Sequence, residues 1–172
     1  RNEPLVYQVK AEAKSGSLEN KVHLTNNLYR KIDDEWSFSL GQDYLKVNST
    51  TTNGMDTITQ DIRGGLSYRG KDNIVLGRID WINQQQNAQK SAKYVINLHD
   101  NYKPSYDWEM FSHVGYKYVV TTFDTQEYKG SSYLVSGGVR KYLNKKYIAI
   151  CSLKISFSMG FSFLFFTFST HC

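Results

Sequence analysis

The sequence predicts an all-β chain, an antiparallel up-and-down (meander) β-barrel of about eight or nine strands. It is either a whole barrel or an incomplete piece of a larger one. Three observations predict this. Apolar and polar residues alternate with period two over most of the chain, the period of a strand with two unlike faces. Turn residues interrupt the alternation at intervals of roughly 18 residues, enough for a long strand plus a short connection. Proline is scarce: Pro4 and Pro104 are the only two, and both fall outside the expected strand interiors, where proline would remove a ladder donor.

Taken in order, Leu5, Tyr7, Val9, Ala11 and Ala13 alternate with Val6, Gln8, Lys10, Glu12 and Lys14. Ser15 to Ser17 is a turn. Val22, Leu24 and Leu28 share the next parity, interrupted by Asn26, and Lys31 to Asp34 turns the chain. Trp36, Phe38 and Leu40 oppose Ser37, Ser39 and Gly41, running on toward Tyr44. Asn48 to Gly54 is a polar loop ending in an Asn-Gly turn dipeptide. Ile58, Ile62, Gly64, Leu66 and Tyr68 oppose Asp61, Arg63, Ser67 and Arg69. After the turn at Gly70 to Asn73, Val75, Gly77, Ile79 and Trp81 oppose Arg78 and Asp80. The Gln/Asn-rich tract from Asn83 to Lys90 reads as strand end plus loop. Tyr94, Ile96 and Leu98 follow, and Asn101 to Ser105, with Pro104, reads as a turn. Tyr106, Trp108, Met110, Val114, Tyr116, Tyr118 and Val120 then hold one parity against Asp107, Glu109, His113 and Lys117. Thr125 to Ser131 is a polar loop. Tyr133, Val135, Gly137 and Val139 oppose Ser136, Gly138 and Arg140, and Asn144 to Lys146 turns once more.

Residues 1–150 therefore read as barrel strands. Residues 151–172 are a Phe-rich terminal strand or a non-native tail: Ile155 to Phe165 alternate with mostly small residues, then Phe166 and Phe168 break the phase. Both cysteines, Cys151 and Cys172, lie there, with no CxxC and no metal-ligand spacing, so no disulfide framework is expected. The chain starts at Arg1 without an apolar leader, as a mature form or a fragment would.

A mean hydropathy of −0.51 looks soluble, but a strand with one lipid-facing parity is only about half apolar. Aromatics make up 15% of residues, with 13 Tyr, and Tyr and Trp suit a membrane–water interface. The net charge of +5 raises nucleic-acid binding, yet the basic residues are scattered, and the densest cluster, Arg140 to Lys146, reads as a strand end. No nucleic-acid partner is expected.

Two barrels fit the alternation, and they differ in which parity faces out. In a membrane barrel the charges Asp61, Arg63, Arg78, Asp80, Asp107, Glu109 and Arg140 face the lumen and pair there. The aromatics Trp36, Tyr44, Tyr68, Trp81, Tyr94, Trp108 and Tyr118, near segment ends, then form interfacial girdles. In a soluble lipocalin-like barrel, Ile62, Leu66, Ile79, Val114 and Val139 point inward around a small apolar ligand. The glycine pairs Gly64-Gly65 and Gly137-Gly138 suit the bending of a small barrel.

No catalytic residue, cofactor site or metal site is expected. His23, His99, His113 and His171 form no HxH or HExxH pattern, and GxSxG, Walker and GxGxxG motifs do not occur. A third reading is a barrel-embedded lipid-modifying enzyme built on His113 with Ser112 or Ser136.

Leu28-Tyr29, Trp36-Ser37-Phe38, Gly64-Gly65-Leu66-Ser67-Tyr68 and Gly137-Gly138-Val139-Arg140-Lys141-Tyr142 resemble bacterial outer-membrane barrels, particularly the YaiO-type barrel that often follows helical repeat domains. The resemblance extends loosely over residues 18 to 150. It implies a bacterial outer-membrane location in contact with outer-membrane lipid. It also implies a structural or transport/export role tied to the envelope or to surface polysaccharide, with a periplasmic helical-repeat domain or export machinery as partner. It assigns no functional residue.

Overall fold

The computed structural model describes residues 5–51, 54–144, 147–159 and 164–171. They form ten strands: β1 (Val6–Ser15), β2 (Glu19–Lys31), β3 (Trp36–Ser49), β4 (Thr57–Arg69), β5 (Asn73–Gln86), β6 (Gln89–Ser105), β7 (Trp108–Phe123), β8 (Gln126–Asn144), β9 (Tyr147–Met159) and β10 (Leu164–His171). All belong to one antiparallel sheet whose spatial order is the sequence order, β1 to β10. The all-β meander is therefore as the alternation predicts. Among the described residues each strand contacts only its sequence neighbours, so the sheet is a single layer with β1 and β10 as its edges. Up-and-down order follows from short connections, which can join only antiparallel neighbours.

The strands run from 8 to 19 residues, against about 5–6 for an ordinary globular strand. Polar stretches that read as loops are in fact ladder. The tract around Asn83 pairs through to Gln86↔Gln89, leaving only Asn87 and Ala88 as the turn. Gln126 to Ser131 likewise pairs back onto β7, through Phe123↔Gln126. Asn87 and Asp124, which open these two turns, have φ of 46° and 58°, a left-handed conformation that Asn and Asp tolerate better than most residues. Asn101 to Ser105 is also strand, not turn: β6 runs to Ser105 and the chain reverses at Tyr106-Asp107. Pro104 sits where the β6–β7 register shifts, between Tyr102 and Ser105, a place where a missing ladder donor costs least.

The β2–β3 turn is held by Asp33, whose carboxylate accepts from the backbone N–H groups of Glu35 (2.9 Å) and Trp36 (2.7 Å). This is the local side-chain mimicry that makes Asp a turn residue. The Phe-rich end continues the meander: β9 pairs with β8 and β10 with β9. The phase break falls inside β10, where the register sets Phe166 opposite Phe157. Cys151 is disulfide-bonded, contrary to expectation. Pro4, Lys145 and Lys146 lie outside the described residues.

Candidate functional site

Directly paired residues on adjacent strands share a face of the sheet, so the register sorts the side chains. One row runs Leu28, Leu40, Gly64, Ile79, Ile96, Tyr116, Tyr133. The next row on the same face runs Phe38, Leu66, Gly77, Leu98, Val114, Val135. This apolar face is open: Leu40 is 52% exposed, Ile62 45% and Leu98 48%. No hydrophobic residue among those described is buried, whereas Asp80 is only 6% exposed.

All of the sequence-predicted aromatics, Trp36, Tyr44, Tyr68, Trp81, Tyr94, Trp108 and Tyr118, fall on this apolar face. They form two bands. Trp36, Tyr68, Tyr102 and Trp108 lie toward the end carrying the β2–β3, β4–β5 and β6–β7 turns. Tyr44, Trp81, Tyr94 and Tyr118 lie toward the opposite end. Neighbours touch within the bands, with ring centroids 4.9 Å apart for Trp36–Tyr68 and 6.4 Å for Tyr94–Tyr118. The Lys141 ammonium lies 4.7 Å from the Trp108 ring centroid. On β3 (Trp36 to Tyr44) and on β6 (Tyr94 to Tyr102) the bands stand about eight residues apart, roughly 26 Å along a strand.

Neither band follows a single register row. Trp36 and Tyr68 share a row, Tyr102 stands about two residues further toward that end of the sheet, and Trp108 about four. The other band moves the same way: Tyr44 on β3 lies about two residues lower than the row shared by Trp81, Tyr94 and Tyr118. The aromatics thus climb the register at about half a residue to one residue per strand, rising toward β8.

Although Asp100, in register with Val75 and Ser112, lies on the apolar face, the opposite face carries most of the charges. Asp61, Arg63, Arg78, Asp80, Glu109 and Arg140 all lie on it, while Asp107 does not: it sits in the β6–β7 turn and accepts from the Ser105 hydroxyl at 2.8 Å. Arg63 forms an ion pair with Asp43, a partner that the sequence reading passed over although Asp43 shares parity with Ser39 and Gly41. Gly41 is the direct cross-strand partner of Arg63. A Cβ there would stand 2.8 Å from the Arg63 Cγ and Nε, so the bare glycine lets the arginine lie across the backbone. His23 Nε2 approaches Asp43 at 3.6 Å. Arg78 Nε donates to both Asp80 oxygens, at 2.8 and 3.0 Å. Glu109 is a second hub, accepting from Asn101 (2.7 Å), Arg140 (2.9 Å) and the Tyr142 hydroxyl (2.9 Å). Buried Asp61 Oδ1, Arg63 Nε and Arg140 Nε find no hydrogen-bond partner among the described residues.

His99 and His113 are cross-strand partners whose rings stack at 3.8 Å and 12°. His113 Nε2 lies 3.1 Å from Asn97 Oδ1. Ser136 is the register partner of His113 on β8, while Ser112 lies on the other face of the sheet and cannot serve that histidine. No cluster of three His, Cys, Asp or Glu able to hold a metal ion occurs among the described residues. No protein-family model and no curated protein matches the chain.

Proposed function

We propose that this sheet is the wall of a bacterial outer-membrane β-barrel of the YaiO-type kind, with a structural or transport/export role in the cell envelope connected to surface polysaccharide. The observation that carries the reading is the inverted amphipathicity: an open apolar face bounded by two aromatic bands, and a polar face where the charges pair. Lipid covers the first, and the second lines the interior. The drift of the bands adds a geometric argument. Residues at one membrane depth lie in a plane, whereas register rows run perpendicular to the strands. In a sheet of strands tilted from the membrane normal, a level band must therefore climb the register. A climb of half a residue to one residue, ~1.7–3.3 Å, per ~4.8 Å strand spacing corresponds to a tilt of about 20–35°. Membrane barrels tilt by about 35–45°. At tilts of about 20–35° the bands stand about 21–25 Å apart along the normal, close to the ~25 Å apolar height of such barrels.

The soluble lipocalin-like alternative needs Ile62 turned inward and Arg63 turned to water. Ile62 is instead 45% exposed, and Arg63 is tied to Asp43. Tryptophan fluorescence in brominated-lipid vesicles tests the proposal, because Trp36, Trp81 and Trp108 are all of the tryptophans and all share the apolar face. Strong quenching, with heat-modifiable gel migration and a need for detergent, is the expected result. A monodisperse protein without detergent, unquenched by brominated lipid, would overturn it.

A further inference from the structure

The polar face is not uniform in charge. Across β3 to β5, Asp43, Asp61 and Asp80 are interleaved with Arg63 and Arg78, and two ion pairs hold that region together. Across β6 and β7 the pattern changes. Lys93 pairs in register with Val119, and Val95 with Lys117, so the two lysines are diagonal neighbours on one face. Such neighbours stand about 7–8 Å apart. Neither lysine has an acidic partner among the described residues. Asp61 lies two strands from Lys93 in its row, and Asp80 two strands from Lys117 in its row, about 9–10 Å; Asp80 is also the diagonal neighbour of Lys93 on β5, about 7–8 Å away, but it is already held by Arg78.

Two like charges set diagonally destabilise a sheet slightly, and nothing in the ladder requires them. Beyond their apolar direct partners Ile82, Val95 and Val119, the neighbouring residues are hydrogen-bonding or small. Ser132 is the β8 partner of Lys117, and Gly130 that of Val119. Ser91 and Thr121, the pair next along the strands toward the β5–β6 and β7–β8 turns, have their hydroxyls 3.2 Å apart.

We infer that Lys93 and Lys117, with Ser132, form a binding subsite for an anionic solute bearing phosphate or carboxylate groups, on the wall formed by β6 to β8. Two lysines whose backbones stand at that spacing can converge their flexible ammonium groups on one multivalent anion as point charges, and the serine hydroxyl adds a neutral donor. The acid-rich β3–β5 region beside it repels the same anion and confines it to this side. The inference rests on the barrel reading in one respect, that the polar face lines an interior.

The test is titration of the folded protein with inorganic pyrophosphate and, separately, with a galacturonate trisaccharide, at low and high salt. Binding of either anion that weakens with salt is expected, and the tighter of the two identifies the class. K93Q/K117Q should weaken it about tenfold or more, the loss of charge-assisted hydrogen bonds. K93R/K117R should retain it. K46Q/K90Q, which removes the same charge from the apolar-face side, should leave it unchanged. Binding of neither anion overturns the inference, as does equal loss in K46Q/K90Q or undiminished binding in K93Q/K117Q. Should K93Q/K117Q not fold, loss of binding in a folded K93R/K117R protein overturns it too. Quenching and gel migration report on the barrel independently, so failure of one reading is distinguishable from failure of the other.

Discussion

Leu98→Arg separates the membrane reading by magnitude from one in which this face meets water. Leu98 lies midway between Tyr94 and Tyr102 on β6, about four residues from each, so the proposed bilayer midplane passes close to it. It is 48% exposed and paired with Gly77 and Val114, neighbours that an arginine would not displace. In water, a substitution at such a surface position changes stability by no more than about 0.5 kcal/mol. At a bilayer midplane on the lipid face it costs about 2–4 kcal/mol, a shift of roughly 30- to 1,000-fold in the folding equilibrium. Ala92→Arg is the depth control. Ala92 shares the face and the strand but lies beyond Tyr94, where the cost falls to about 0–1 kcal/mol. The assay is reversible urea titration of folding into lipid vesicles, followed by tryptophan emission. The reasoning is refuted if Leu98→Arg costs less than about 0.5 kcal/mol, or if Ala92→Arg costs as much as Leu98→Arg.

Three further outcomes follow from the polar face. Gly41→Val places branched carbon where Arg63 lies and should destabilise by about 1–3 kcal/mol. A double-mutant cycle with Asp43→Asn should show coupling, because the valine displaces the arginine from that aspartate; additive effects in the same urea titration would dissociate the two. Glu109→Gln leaves Arg140 and Tyr142 without their shared acceptor charge and should cost about 1–3 kcal/mol, while Asp107→Asn in the adjacent turn should cost no more than about 0.5 kcal/mol. Equal losses at the two acids would sink the placement of Glu109 on the face and Asp107 in the turn. Pro104→Ala should be neutral to within about 0.5 kcal/mol, since the ladder already shifts beside it; a large gain in melting temperature would mean that the proline is breaking a continuous strand.

The alternation was legible because side-chain parity is a local property. Leu66 and Ser67 declare opposite faces wherever their strand happens to pair. Strand length was less legible. Gln84 to Gln86 and Gln126 to Ser131 carry loop-like side chains, yet their backbones find complete partners across two-residue turns, and backbone pairing decides where a ladder ends. Charge placement followed parity for Arg63 and Arg140 but failed for Asp107, because a turn resets the count of faces. Asp43 was missed for another reason: its importance lies in reaching Arg63 over Gly41, a contact between strands that no spacing within one strand records. The climb of the aromatics could not be read before the register was known, since it is a relation among five strands.

Ten is an even number of strands, so β1 and β10 run in opposite directions. Each edge carries backbone donors and acceptors that no described neighbour satisfies. Closing the two on each other, antiparallel like every other pair in the sheet, would leave no edge at all. Until that happens the chain presents two adhesive borders and a greasy side to water, the combination that drives strand-by-strand aggregation. In the test tube the chain should precipitate when denaturant is diluted at high protein concentration, and stay dispersed when detergent micelles are already present at the moment of dilution.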